Sequence, residues 1–168
     1  MYITRLVAAF ALAMVTLTAP AGAVAQELSP TASTMQERID EVIGEHGGTQ
    51  TGWNEITWND GDIVLTLESE TDMAPSRRAT AASAAKDDCA AGKYCVYAKT
   101  EYAGNKIRYS ACPATYTSFT LLHASIHSIK NDLSSGTVRA YNGSTLKKTL
   151  SPGAGAPTVT NITKITCS

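Results

Sequence analysis

Tyr94-Cys95-Val96-Tyr97-Ala98-Lys99-Thr100-Glu101-Tyr102-Ala103-Gly104 is the stretch on which the reading of this 168-residue chain turns. Tyr94, Val96 and Tyr97 mark a β-strand, and turn residues follow at once with no helical period. The same rhythm runs outward from it. Ile107 and Tyr109 mark a second strand, Ile126 to Ile129 another, and Val138 to Tyr141, Leu146 to Leu150 and Ile162 to Ile165 a further set. Roughly seven or eight strands in so short a stretch imply an all-β domain over 89–168, built as a small two-sheet sandwich or Greek key. A chain of this length excludes a large multidomain enzyme and any barrel of about 250 residues.

All four cysteines, Cys89, Cys95, Cys112 and Cys167, fall in this β-rich part. An even number in a small exported domain implies two disulfides, and three pairings remain open. Their wide spacings supply none of the close cysteine pairs that a zinc site needs.

Export is read from the other end. Arg5, the apolar run Leu6 to Leu17, Pro20 and the small residues Ala23-Val24-Ala25 form a secretory signal peptide over 1–25. The run is too short for a bilayer, which takes roughly 20 residues. A secreted, extracellular protein with no membrane span is expected.

An acidic unit follows over 26–72. Thr34 and Glu37 stand as a capping box, Met35, Ile39, Val42 and Ile43 repeat at helical spacing, and Gly47-Gly48 ends the helix. Ile56 and Trp58 alternate with polar neighbours, Asn59-Asp60-Gly61 turns the chain, and Ile63, Leu65 and Leu67 alternate again. So thin an αββ unit needs a partner surface, because a lone hairpin is marginal in water. Residues 73–88 then read as a flexible linker of Ala, Ser, Thr and Pro that contains Arg77-Arg78, a site where the leader could be cleaved.

Charge divides the chain in the same way. Residues 26–75 hold eleven acids against Arg38 alone, net −10, whereas 89–168 hold nine bases against Glu101 and Asp132, net +7. Opposite charges on two tethered units predict that the acidic leader docks in cis on the basic domain, as a removable propeptide or folding aid shielding the basic face.

The stretch from Cys95 to Gly104 resembles the βγ-crystallin signature, with Tyr97 and Tyr102 as its aromatics and Gly104 as its glycine. Ser125-Ile126-His127-Ser128-Ile129-Lys130-Asn131 resembles the late strand of such a motif, and Val138-Arg139-Ala140-Tyr141-Asn142-Gly143 begins a weaker second copy. The frame as a whole is similar to a secreted bacterial peptidase-inhibitor family with this fold, the Streptomyces metalloproteinase inhibitor group. The resemblance implies a βγ-crystallin-like Greek-key sandwich behind the αββ unit, stacking of Tyr97 and Tyr102 in a folded hairpin, and a cap on that hairpin from Ser128. It also implies a peptidase inhibitor, with a metalloprotease as one target class. His123-Ala124 and Val159-Thr160 stand where calcium-binding members carry oxygen ligands, so no calcium, other metal or cofactor is expected.

Catalytic constellations are poorly supplied. His123 and His127 lie four apart, but their neighbours Ser125, Ile126 and Ile129 suggest a strand, which would hold them about 13 Å apart. Two acids in the basic half cannot build a nucleophile–base–orienter group. Sparse aromatics among the bases, and export, argue against nucleic acid. The sequence therefore describes a binder and not an enzyme, and the resemblance implies an extracellular protease as its partner. Inhibitors of this kind present a loop held rigid. Cys112-Pro113-Ala114-Thr115-Tyr116-Thr117-Ser118-Phe119 is the preferred loop, with Pro113, Thr115, Tyr116 and Phe119 as contact residues, because aromatic anchors dominate interface energetics. The alternative use of Tyr116 and Phe119 is core packing. Ser151 to Pro157 is a second loop of suitable composition. A competing function is a cationic cell-surface binder or killer-toxin-like βγ-crystallin protein, suggested by the charge of +7.

Overall fold

The computed structural model describes residues 30–69 and 88–168, with side chains from Thr34 onward. The signal peptide over 1–25, the Arg77-Arg78 pair and all of the linker except Asp88 lie outside the described residues.

Helix α1 spans Pro30–His46. It begins a turn before the expected capping box, so Thr34 lies within the helix and is not its N-cap. Proline suits a first helical position, since its missing N–H is one that the first turn leaves unpaired anyway. Met35, Ile39 and Val42 form the buried stripe, and Ile43 packs beside them. The helix stops where expected: Gly47 adopts φ 67°, and its N–H donates to the Ile43 carbonyl at 2.8 Å.

Strands β1 (Thr49–Gln50), β2 (Glu55–Trp58) and β3 (Ile63–Thr66) follow, antiparallel to one another. The β2–β3 hairpin matches the alternation in the sequence, while the two-residue β1 carried no signal. Asn59, Asp60 and Gly61 all have positive φ, the conformation that these three residue types tolerate best.

Eight strands occupy the remainder: β4 (Tyr94–Tyr97), β5 (Lys106–Tyr109), β6 (Ala114–Tyr116), β7 (Ser128–Asn131), β8 (Val138–Asn142), β9 (Thr145–Leu150), β10 (Gly155–Ala156) and β11 (Lys164–Cys167). Two boundaries differ from expectation. Ile126 precedes β7 and forms only an isolated bridge with Ile162, and β11 begins two residues later than Ile162.

The strands make two antiparallel sheets, a seven-stranded one in the order β1-β2-β3-β5-β4-β7-β10 and a four-stranded one in the order β6-β11-β8-β9. The chain is thus mainly β, with one helix near its N-terminus among the described residues. The β3–β5 ladder, from Ile63↔Tyr109 to Thr66↔Lys106, runs the N-terminal hairpin into the larger sheet. One continuous core takes Tyr94, Val96, Ile107 and Ile129 from that sheet, Val138, Ala140 and Ile165 from the other, and Met35, Ile39 and Val42 from the helix.

The cysteines pair as Cys89–Cys95 and Cys112–Cys167, with sequence separations of 6 and 55. Because the unfolded chain loses more freedom when a longer loop is closed, replacing Cys112 and Cys167 by Ala should cost about 4 kcal/mol, against about 2 kcal/mol for the short loop. Urea unfolding of the two double variants checks the order.

Candidate functional site

The four residues quoted for the hairpin signature are brought together. The Tyr97 and Tyr102 rings meet edge to face with centroids 5.6 Å apart. Ser128 Oγ accepts the Tyr102 N–H at 3.0 Å and donates to the Lys99 carbonyl at 2.7 Å, tying the 98–105 turn to β7. Gly104 has φ 85°, and a Cβ there would come within 2.9 Å of Lys99 Cγ. A side chain at this position would be strained in backbone and blocked in space.

The preferred loop is held from three directions. Its first residue, Cys112, is bonded to Cys167 at the end of β11. Its centre is not a loop at all: Ala114–Tyr116 is strand β6, paired with Ile165 to Cys167 of β11. Beneath it lies a ladder of rings, with Tyr116 stacked on Tyr109 at 4.1 Å and Tyr109 on Tyr94 at 5.3 Å. The Tyr94 hydroxyl donates to the Ala111 carbonyl at 3.1 Å, just ahead of the disulfide.

Tyr116 and Phe119 are therefore half-buried against the core, as core packing would have them, and Pro113 and Thr115 are the exposed members of the predicted set. Turn-like composition around Tyr116 hid both the strand and the stack, because neither has a local signature. As the edge strand of its sheet, β6 has a strand neighbour on one side only. In the second loop, Ser151 to Gly153 are exposed, but Gly155–Ala156 pair with Ile129 and Lys130.

The N-terminal unit brackets the Cys112–Phe119 segment. On one side, the Ser110 N–H donates to the Asp62 carbonyl at 2.9 Å. On the other, a groove of about 630 Å³ runs past His46, Thr117, Phe119, Thr120 and His123. The His46 and His123 rings are 6.3 Å apart, edge to face. His123 does not sit on a strand. It ends a 3-10 turn (Thr120–Leu122) in the left-handed conformation, and His127 lies just before β7. The role of His46 was invisible in sequence, since nothing local links the end of α1 to a residue 77 positions away.

Burial pushes the phenols of Tyr94 and Tyr109 far above the ordinary value, and the neighbouring Tyr116 adds to both shifts. The Tyr116 phenol is also raised, mainly by burial. A raised folded value means that folding favours the neutral phenol. That stabilisation is complete below the unfolded value of about 10 and is lost as the pH rises past it. In a titration followed by phenolate absorbance, Tyr94 and Tyr109 should stay neutral at about pH 11 and ionise only as the fold is lost.

All four cysteines are bonded, and no group of three or more His, Cys, Asp or Glu suited to a metal occurs among the described residues. What the site offers is a rigid, partly exposed edge. Neither the curated proteins nor the solved structures compared with this chain give a match. The comparison with family models does. Residues 82–150, which include the tyrosine ladder and the whole Cys112–Phe119 segment, match peptidase inhibitor family I36. Over that segment the chain is similar to a family of peptidase inhibitors.

Proposed function

We propose that this chain is a secreted inhibitor of an extracellular peptidase and that its binding element is the segment Cys112–Phe119, led by Pro113 and Thr115. The observation that carries the reading is the anchored edge strand β6, clamped by the Cys112–Cys167 disulfide and the Tyr116–Tyr109–Tyr94 stack. Peptidases commonly bind their substrates extended, and an exposed strand edge offers main-chain hydrogen bonds in that form. A segment already immobilised also avoids the ordering cost of docking, about 0.5–1.5 kcal/mol per side chain. A metalloprotease is the target class implied by the resemblance of the β-rich half.

Titration of the purified chain against a thermolysin-type zinc peptidase, with a serine peptidase alongside, tests this. Stoichiometric inhibition of the zinc enzyme is expected, and Thr115→Arg should weaken it roughly tenfold or more without changing thermal stability. Ser151→Arg, in the second loop, should leave it unchanged. If only the Ser151 variant loses inhibition, the second loop is the binding element.

In the same reading the acidic unit over 26–72 is a folding aid that docks in cis and stays docked when the chain is cleaved at Arg77-Arg78. Support comes from the β3–β5 ladder and from two ion pairs, Glu68 with Lys99 and Glu55 with Arg108. Apolar packing of α1 adds a component that salt does not screen. A chain cut at Arg77-Arg78 should therefore elute as one species at both low and high salt, and separate only under denaturant.

A further inference from the structure

Cations are handled differently on the two sheets. On the larger sheet and its turns, Lys99 pairs with Glu68, Lys106 with Asp88, Arg108 with Glu55 and Lys130 with Asp132. On the four-stranded sheet, Arg139 of β8, Lys147 and Lys148 of β9 and Lys164 of β11 form no ion pair among the described residues. No Asp or Glu occurs anywhere in 133–168, nor in β6.

The register sets these groups in place. Val138 and Ala140 are buried, so Arg139 and Tyr141 face outward, and Lys164 lies opposite Tyr141 with its Nζ 4.3 Å above the ring. Thr166 and Thr149 flank Arg139 on either side, and neither makes a side-chain hydrogen bond among the described residues. Every residue of β9 from Thr145 to Thr149 is exposed, and a register shift beside Lys147 marks a bulge. Lysines on an edge strand alone would be explained as protection against aggregation. That account does not reach Arg139 or Lys164, which stand on the interior strands β8 and β11.

We propose that this outer face binds a linear anionic polysaccharide, with Arg139, Lys147 and Lys164 taking its acidic groups and Thr149 and Thr166 its hydroxyls. The face suits that partner better than the other anionic surfaces. Leu146 is the one large apolar side chain strongly exposed there, too little to anchor in a bilayer. Tyr141 is its only aromatic among the described residues and is already covered by Lys164, which removes the stacking platform that single-stranded nucleic acid uses.

The test is calorimetric titration of the full chain with heparin as the sulfated probe and polygalacturonate as the carboxylated one, at low and moderate salt. Neutral dextran, polyglutamate and anionic phosphatidylglycerol vesicles serve as comparators. Binding to both polysaccharides is expected, weakening with salt. The Lys147→Glu variant and the Arg139→Ala, Lys164→Ala double variant should each lose roughly tenfold or more in affinity. Lys99→Ala, at a cation already paired, should bind as the parent does, and circular dichroism confirms that each variant is folded. No binding at low salt, an equal loss in Lys99→Ala, or vesicles or polyglutamate binding as tightly as heparin would each overturn the proposal.

Discussion

The ladder between Ile63–Thr66 and Lys106–Tyr109 is the contact on which the rest of the molecule depends. Strand β5 has β4 on one side, and β3 supplies the other. Each member of the ladder satisfies backbone donors and acceptors that would otherwise face water. The same pairing places α1 where Met35, Ile39 and Val42 complete a core begun by the two sheets. A helix and hairpin too small to bury themselves are stabilised by a sheet that they extend.

The aromatic ladder depends on that arrangement. Tyr109 lies opposite Ile63 in the register and beneath Tyr116 in the stack, so one residue links the N-terminal hairpin to the edge strand of the other sheet. With Cys112 bonded to Cys167 at the far end of the pairing, the segment has little freedom left. The same packing that lifts the tyrosine phenols out of their usual range holds Pro113 and Thr115 in a fixed position.

Charge is organised by sheet and not by sequence half. Glu55 and Glu68, from the acidic unit, lie beside Arg108 and Lys99, while the cations of β8, β9 and β11 form no ion pair among the described residues. A net charge summed over 89–168 conceals this, because it counts matched and unmatched cations alike. The unmatched ones define a surface with its own character.

Much of the fold was legible in the residues themselves. Alternating apolar positions marked the β2–β3 hairpin, the strands around Tyr94, Ile107 and Val138, and the helix stripe of Met35, Ile39 and Val42, because period and turn chemistry are local properties. Tyr97, Tyr102, Gly104 and Ser128 were likewise recognisable as a group. The match of residues 82–150 to a peptidase inhibitor family agrees with the resemblance of the β-rich half. Other features had to wait for the fold: the disulfide pairing, the strand hidden at Ala114–Tyr116, the half-burial of Tyr116 and Phe119, the joining of β3 to β5, and the approach of His46 to His123. Apart from the Cys89–Cys95 bond, each is a contact between residues far apart in the chain, and a linear pattern carries no record of which surfaces will meet. Hydrophobic periodicity tells a side chain which face to bury. Only the assembled sheets determine what it is buried against.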